Sequence, residues 1–192
     1  MKRLFLLLAS LGLVCTACNS DDEPEKKAPE EELPTSCEIG DLVTVRGVEG
    51  VVFYKSDTVT KVVSVTEGTD LQWSTEHLLL WAKDKDNGAY NMAKCTDLSK
   101  YPAFRWCAKQ GQGWYLPALN ELEHIWSNIK IINKTLYANR YTEIEYDHLP
   151  YYWSSSEYDY ATAHWFCMED NCVGERPINK KDKQRVRAVF AF

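Results

Sequence analysis

A stripe of apolar residues in the middle of the chain most constrains its fold. From Ala118 to about Ile131 the large apolar residues recur at steps of three and four, which predicts an amphipathic helix that begins after Pro117. A shorter helix is predicted before it, opened by Pro102 and ending near Gly111. Each helix has an apolar face that needs a partner. The stripe consists of Leu119, Leu122, Ile125, Trp126 and Ile129.

The segments on either side of these helices have the composition of β-strands and can supply that partner. They are short, rich in β-branched and aromatic residues, and separated by turn residues. Strands, then two helices, then strands is the pattern of an α+β fold. The predicted strands lie at residues 42–46, 51–55, 61–65 and 78–82 before the helices, and at 151–157, 163–167, 172–175 and 185–192 after them.

All seven tryptophans lie between Trp73 and Trp165, in the same part of the chain as these elements. This concentration predicts one core rich in aromatic side chains. It does not by itself indicate a sugar site, because buried tryptophan mostly serves packing.

The first eighteen residues have the pattern of a bacterial lipoprotein signal. Two basic residues precede an apolar run, residues 4–14, which is too short to cross a bilayer because a spanning helix needs about 20 residues. Thr16-Ala17-Cys18 then resembles the end of a lipobox, with Cys15 where leucine is usual. The resemblance implies that residues 1–17 are removed and that Cys18 carries the lipid which anchors the chain to a membrane.

Residues 19–36 are expected to be a disordered acidic tether. They are rich in Glu, Asp, Pro and Lys and contain no aromatic residue, so they cannot bury enough apolar surface to become ordered. The run Ser20-Asp21-Asp22-Glu23 resembles the acidic export signals of surface lipoproteins in Bacteroides-type bacteria. This resemblance implies a lipid-anchored outer-membrane protein exposed at the cell surface, with a periplasm-facing position as the alternative. The globular domain is then expected over residues 37–192.

The charge of the mature chain argues against nucleic acid as a partner. Loss of Lys2 and Arg3 leaves 20 basic residues against 28 acidic ones, a net charge of −8. Binding of nucleic acid needs a basic surface, which this balance does not provide. One basic stretch exists, residues 180–187, and we expect it to be a solvated edge of the sheet.

No metal or other cofactor is expected from the sequence. His77, His124, His148 and His164 lack the spacing of a zinc site. The turn at residues 84–88 resembles a calcium loop, but its glycine comes one residue early and a lysine stands where the final glutamate is needed.

The cysteines of an exported chain can form disulfides. Cys167 and Cys172 bracket a predicted hairpin tip, while Cys95 and Cys107 flank a short loop and the start of a helix. We predict bridges 95–107 and 167–172, with Cys37 unpaired, although spacing alone does not fix the connectivity.

Four motifs in a fixed order resemble a known family. They are GWYLPALNELEHIW (113–126), YYWSSSE (151–157), AHWFC (163–167) and RVRAVFAF (185–192). Together they resemble the bacterial C-type-lectin-like domains of the family typified by the C-terminal domain of the collagen-like adhesin Lcl, a domain of unknown function. The resemblance implies a C-type-lectin-like fold in which two helices flank a small, mainly antiparallel sheet with long loops.

The resemblance favours a non-catalytic, adhesin-like binding module whose ligand is a glycan or a surface protein. The expected contact surface is the long-loop region, residues 141–159, with the 168–171 turn beside it. Six tyrosines crowd this part of the chain, five of them within 141–159 and Tyr160 directly after it, and many of them would have to be exposed, since tyrosine suits adaptable recognition surfaces. The alternative for Trp153 and the serines is that they fill the core. The ligand-binding candidates are Tyr152, Trp153, Ser155, Glu157 and Tyr158.

Two other functions remain open. The domain could be a structural subunit of a fimbrial or envelope complex. It also resembles, more distantly, the copper-dependent formylglycine-generating enzymes, whose two active-site cysteines resemble Cys167 and Cys172 in spacing and place. Thiolates suit Cu(I), but the acidic residues Glu169 and Asp170 between these cysteines disfavour thiolates, so we expect no enzymatic activity.

Overall fold

The structure, a computed structural model, describes residues 33–34, 36–145, 150–169 and 177–192. This part of the chain has the predicted α+β composition, with helices inserted between two groups of mainly antiparallel strands. The strands are β1 (Leu42–Val45), β2 (Val48–Lys55), β3 (Thr60–Ser64), β4 (Gly68–Gln72), β5 (Tyr151–Glu157), β6 (Thr162–Cys167), β7 (Pro177–Asn179), β8 (Lys183–Val186) and β9 (Val189–Ala191). The α-helices are α1 (Gly88–Ala93), α2 (Pro102–Ala108), α3 (Leu119–Ser127) and α4 (Ile129–Ala138), and a 3-10 turn covers Leu98–Lys100.

The first sheet has the strand order β1-β2-β3-β9 and supports helices α3 and α4. Its last strand comes from the end of the sequence, where Phe190 pairs with Val62 of β3. The apolar stripe of α3 packs against β2 and β3 as the periodicity predicts, with Leu122 and Ile125 fully buried beside Val51 and Phe53.

The second sheet has the strand order β4-β8-β5-β6-β7, with β5 in the middle. The predicted single aromatic core is correct in part, because five of the seven tryptophans belong to the cluster at this sheet, whereas Trp126 packs against a second cluster and Trp81 is exposed. Trp73 lies edge-on to Phe104 with ring centroids 5.0 Å apart, and the same cluster contains Trp153 and Trp165. Edge-to-face packing of this kind favours aromatic pairs beyond the area that they bury.

The predicted helix at 118–131 is two helices in the structure. Asn128 leaves the helical conformation with φ −113°, and its side-chain amide donates to the carbonyl of Phe53 at 3.1 Å. Helix α4 then continues past Ile131, which the sequence reasoning missed. The start of α3 is capped by Glu121, whose carboxylate accepts from the Ala118 amide at 2.8 Å, as expected for a structural helix-start motif.

Two predicted strands are corrected by the structure. Residues 78–82 form an irregular segment because their amides and carbonyls bond to side chains of other elements, as described below. The predicted strand 185–192 is divided between the two sheets into β8 and β9. Strand β6 pairs with β7, while its predicted partner at 172–175 lies outside the described residues.

The predicted solvated edge at 180–187 is correct for Lys181 and Lys183, which are exposed, but wrong for two other basic residues. Lys180 and Arg187 are buried, and each lies beside a carboxylate. The Arg187 guanidinium donates to Glu67 at 3.2 Å and to four backbone carbonyls, including those of Val65 at 2.9 Å and Thr142 at 2.8 Å. These bonds provide the partners that a buried charge needs. None of the helices in the described ranges is long and apolar enough to cross a membrane.

Candidate functional site

Four of the five predicted ligand-binding residues are buried, so the structure corrects their assignment. Tyr152, Trp153, Ser155 and Glu157 lie on β5, the central strand of its sheet, and helices α1 and α3 also contact this strand. These four side chains are at most 2% exposed, so they are not available to a ligand at the surface. Of the five candidates, Tyr158 alone is exposed.

The buried β5 side chains are engaged in hydrogen bonds inside the domain. The indole of Trp153 donates to the carbonyl of Leu71 at 2.8 Å, and the hydroxyl of Tyr152 donates to Glu67 at 2.6 Å. The hydroxyl of Ser155 accepts from Asn91 at 3.0 Å. The core-filling alternative for Trp153 and the serines is therefore the one that the structure supports.

The buried carboxylate of Glu157 holds the backbone of a surface segment in place. Its carboxylate accepts from the backbone amides of Leu80 and Trp81, each at 2.8 Å. It also accepts from the ammonium of Lys180 at 2.6 Å, and both side chains of this ion pair are fully buried. Charge-assisted bonds of this type are short and directional, so Glu157 fixes the backbone of the 80–81 segment.

Lys180 completes the connection between two surface segments. Besides Glu157, its ammonium donates to the carbonyls of Leu78 at 2.6 Å and Tyr160 at 3.2 Å. It also lies 4.7 Å from the centre of the Trp73 ring. Burial lowers the pKa of Lys180 and the bond to Glu157 opposes this change. One buried cation thus joins the 77–83 segment to the turn between β5 and β6.

Four large side chains project from these two joined segments, and we call them the aromatic surface: Leu79, Trp81, Tyr158 and Tyr160. Their exposed fractions are 43% for Leu79, 64% for Trp81, 54% for Tyr158 and 56% for Tyr160. They make up half of the exposed large apolar side chains in the described ranges. A concentration of this kind is typical of a contact surface, whereas single exposed apolar residues are ordinary.

Trp81 adopts a left-handed backbone conformation with φ +61°. This conformation costs about 1–2 kcal/mol for a residue with a side chain, and bulky residues rarely adopt it. The two bonds to Glu157 hold the strained segment in place. Strain that the surrounding structure maintains, at an exposed tryptophan, is typical of functional sites.

The turn that carries Tyr158 and Tyr160 is ordered by Asp159. One of its carboxylate oxygens accepts from the Thr162 amide at 2.7 Å, the Thr162 hydroxyl at 2.8 Å and the Ala161 amide at 2.9 Å. These bonds, led by that to the Thr162 side chain, lower the pKa of Asp159. The Tyr158 ring stands perpendicular to the His164 ring at 5.4 Å. The tyrosines therefore project from a rigid turn.

The remaining tyrosines of the predicted contact region contribute less. Tyr151 is half-buried and makes an edge contact with Trp165 at 4.2 Å between ring centroids, and Tyr141 is half-buried and donates from its hydroxyl to Glu49. Tyr146 lies outside the described residues. In the neighbouring 168–171 turn Met168 is buried, while residues 170 and 171 also lie outside the described ranges.

The cysteines differ in part from the prediction. Cys95 and Cys107 are free, so the predicted 95–107 bridge is not formed, because Cys107 points into the aromatic core and Cys95 packs at its edge. Cys37 is free, as predicted. Cys167 is disulfide-bonded, while its predicted partner Cys172 lies outside the described residues. An oxidised Cys167 does not offer the thiolate that copper chemistry would need.

The residues that the sequence reasoning missed are Leu79, Trp81 and Lys180. The run Leu78-Leu79-Leu80-Trp81 looked like a strand, and its tryptophan was counted as core. Within the described ranges no group of three or more His, Cys, Asp or Glu side chains is arranged to hold a metal ion. The lipidation candidate Cys18 lies outside those ranges.

Comparison with known proteins adds no assignment to this geometry. A scan against known protein families finds none that matches the chain, and a search of curated proteins finds no related sequence.

Proposed function

We propose that this chain is a lipid-anchored, non-catalytic binding module of the bacterial cell envelope, and that it binds a glycan or a surface protein through the aromatic surface. The observation that carries the proposal is the support of this surface. Four exposed apolar side chains stand on two segments that a buried ion pair, Glu157–Lys180, holds together. A surface that is ordered before the ligand arrives loses little conformational entropy on binding.

The residue types at this surface suit recognition. Tryptophan and tyrosine offer large areas with few rotatable bonds and a polar atom at the edge, and they dominate the binding energy at many interfaces. The indole of Trp81 and the phenols of Tyr158 and Tyr160 can each make an apolar contact and a hydrogen bond. Such groups can stack on a sugar ring or fill a pocket of a protein partner.

The fold and the anchor belong to the same proposal. We propose that the α+β architecture is a C-type-lectin-like fold, supported by the motif order and by the return of the last strand, β9, to the sheet of the first strands. We propose acylation at Cys18 and display at the outer membrane, supported by the signal and the acidic run after it. Intact-mass analysis of exported wild-type and Cys18→Ala chains would detect the lipid.

The binding proposal is tested with natively exported protein extracted in detergent. Glycan and glycosaminoglycan arrays, with and without calcium, are compared for the wild type, Trp81→Ala and a control, Tyr137→Ala. Tyr137 is 75% exposed on α4 and is not part of the aromatic surface. We expect binding to a chemically related set of glycans that Trp81→Ala removes and Tyr137→Ala retains.

A blank array leads to the second arm of the test, cross-linking in intact cells followed by identification of bound proteins. A partner that is captured by the wild type and by Tyr137→Ala, but not by Trp81→Ala, supports recognition of a surface protein. If that partner is present in a stoichiometric amount, the same result supports the alternative, a structural subunit of an envelope complex. Binding that survives Trp81→Ala in either arm would contradict the proposed surface.

A further inference from the structure

We propose a second binding site, for a single uncharged sugar ring, in a hollow that shares no residue with the aromatic surface. The hollow has a volume of about 310 Å³ and lies between the β2–β3 hairpin, the segment before α1 and the first turns of α3. This volume is at the small end of the range for ligand pockets, roughly 300–1,000 Å³, so it suits one monosaccharide unit. The side chains that carry the argument are Tyr54, Lys61, Asp86, Asn120, Glu121 and His124.

The floor of the hollow is rigid and electrically balanced. Glu121 is buried, and one carboxylate oxygen accepts from Lys61 at 2.6 Å and from the Tyr115 hydroxyl at 2.9 Å. The other oxygen accepts from the amides of Ala118 at 2.8 Å and Gly88 at 3.1 Å. These four donors satisfy the carboxylate, so Glu121 and Lys61 form a neutral pair rather than a free charge.

One wall presents unused hydrogen-bonding atoms. The Asn120 amide nitrogen donates to one carboxylate oxygen of Asp86 at 2.7 Å. Within the described ranges this bond leaves the other oxygen of Asp86 and the amide oxygen of Asn120 for a further donor. The two segments are also joined through the backbone, because the backbone amide of Asn120 donates to the carbonyl of Lys85 at 2.8 Å. Two acceptors are therefore fixed next to each other.

The opposite wall is aromatic. The rings of Tyr54 and His124 have centroids 4.9 Å apart at an angle of 46°, and the Lys61 ammonium lies 5.6 Å from the centre of the Tyr54 ring. Aromatic faces carry negative charge density and attract the polarised C–H groups of a pyranose face. The ring nitrogens of His124 add a hydrogen-bonding group at the exposed rim.

The chemical class of the ligand follows by elimination. A simple anion would meet the Asp86 carboxylate, and the charge of Lys61 is already neutralised by Glu121. A metal ion would find no group of ligating side chains in the described ranges, and the comparison with glucosamine tests an organic cation. An apolar ligand would displace water from the acceptors of Asp86 and Asn120 without replacing its hydrogen bonds, which lowers affinity. A neutral molecule with adjacent hydroxyls and a C–H face, a pyranose, matches all the groups present.

The test uses the detergent-extracted full chain and a panel of methyl pyranosides of glucose, galactose, mannose and N-acetylglucosamine. Glucuronate and glucosamine are the charged comparisons. Binding is measured by saturation-transfer NMR and by calorimetry. We expect at least one neutral pyranoside to bind more tightly than the charged sugars, with a Kd on the order of 1 mM, which follows from about 0.3 kcal/mol per non-hydrogen atom for a ligand of this size.

Variants then locate the site. Asp86→Asn keeps an acceptor for Asn120 but replaces the free oxygen by a donor, and Asn120→Ala removes both amide atoms. Each should weaken binding at least tenfold with the melting temperature unchanged. The control Asp182→Asn removes a carboxylate from an exposed residue outside the hollow and should bind as the wild type does.

Three results would overturn the proposal. One is that no pyranoside binds at 20 times the expected Kd. Another is preferred binding of glucuronate or glucosamine. The third is binding that Trp81→Ala removes while Asp86→Asn and Asn120→Ala retain it, because the sugar would then occupy the aromatic surface. Loss with the Asp86 and Asn120 variants alone supports the hollow, whether or not the aromatic surface has a ligand of its own.

Discussion

Replacement of Glu157 by Gln should destabilise the domain strongly, because it leaves the fully buried Lys180 ammonium without its counter-charge. Removing one member of a buried pair typically costs about 3–5 kcal/mol. Lys180 can limit this cost by losing its proton, since burial already lowers its pKa. Deprotonating an ordinary lysine at pH 7 costs about 4.6 kcal/mol, at about 1.4 kcal/mol per pH unit, so the loss should not exceed this value by much.

The pair itself is isolated by a double-mutant cycle. Lys180→Met removes the cation and keeps most of its volume, so in the Glu157→Gln/Lys180→Met double variant neither buried charge remains. We expect the double variant to lose at least about 1.5 kcal/mol less than the sum of the two single variants. In melting temperature, the Glu157→Gln change corresponds to a decrease of roughly 6–20 °C for a domain of this size.

The assay is urea unfolding followed by tryptophan fluorescence, with the m-value checked for each variant. The matched control is the exposed pair Lys100–Glu76, whose charged atoms are 3.2 Å apart and whose side chains are 41% and 52% exposed. The cycle of Lys100→Met and Glu76→Gln should give a coupling of about 0–1 kcal/mol. If the buried cycle gives no larger coupling than the control, the buried pair does not organise the surface as argued.

Three further predictions use the same unfolding and labelling assays. Trp81→Gly should leave the free energy of unfolding unchanged or raise it by up to about 1 kcal/mol, because glycine adopts φ +61° without steric cost; a clear loss would mean that the indole contributes packing. Burial, together with nearby carboxylates, raises the pKa of Tyr115 and Tyr152. The folded state keeps these protons where the unfolded chain loses them, so the free energy of unfolding should fall above about pH 10, by about 1.4 kcal/mol per pH unit for each tyrosine; Tyr152→Phe should reduce that slope, and an unchanged slope would contradict the assignment. Burial raises the pKa of Cys95 to about 11 and that of Cys107 well above its usual value. Alkylation of unreduced protein at pH 8 should therefore be slow at Cys95 and should occur at Cys107 only after the protein is unfolded. A peptide in which a disulfide joins these two cysteines would refute the free-thiol state.

The parts of the fold that local patterns specify were predictable. The stripe on α3, the strand at 151–157 and the helix opened by Pro102 agree with the structure to within a few residues at each end. In each case the residue types, the period and the boundary residues point to the same element. Helix α4 was missed because Asn128 interrupts the stripe, and its bond to Phe53 is a contact between distant parts of the chain.

The site was less predictable, for a physical reason. The string Tyr151–Glu157 has hydroxyls, a carboxylate and aromatic rings, which are the groups of both a binding loop and a buried central strand. A binding loop and a central strand differ in whether the segment lies inside a sheet. That position depends on strands from distant parts of the chain, so the local sequence does not reveal it. Trp81 is exposed because its segment bonds to the side chains of Glu157 and Lys180 instead of pairing with a strand. These two residues are 76 and 99 positions further along the chain.

Strand β9 has a consequence for the way the chain acquires its structure. Val189–Ala191 pairs with β3, and Val189 also exchanges backbone bonds with Tyr115, each at 2.9 Å, so the last residues of the sequence join parts made much earlier. Contacts between such distant positions slow folding, because a long loop must close before they form. If the chain is exported as we propose, it would emerge amino end first and the sheet would stay incomplete until Phe190 had crossed. The polypeptide would remain unfolded while it crosses the membrane and would become resistant to proteases once export is complete.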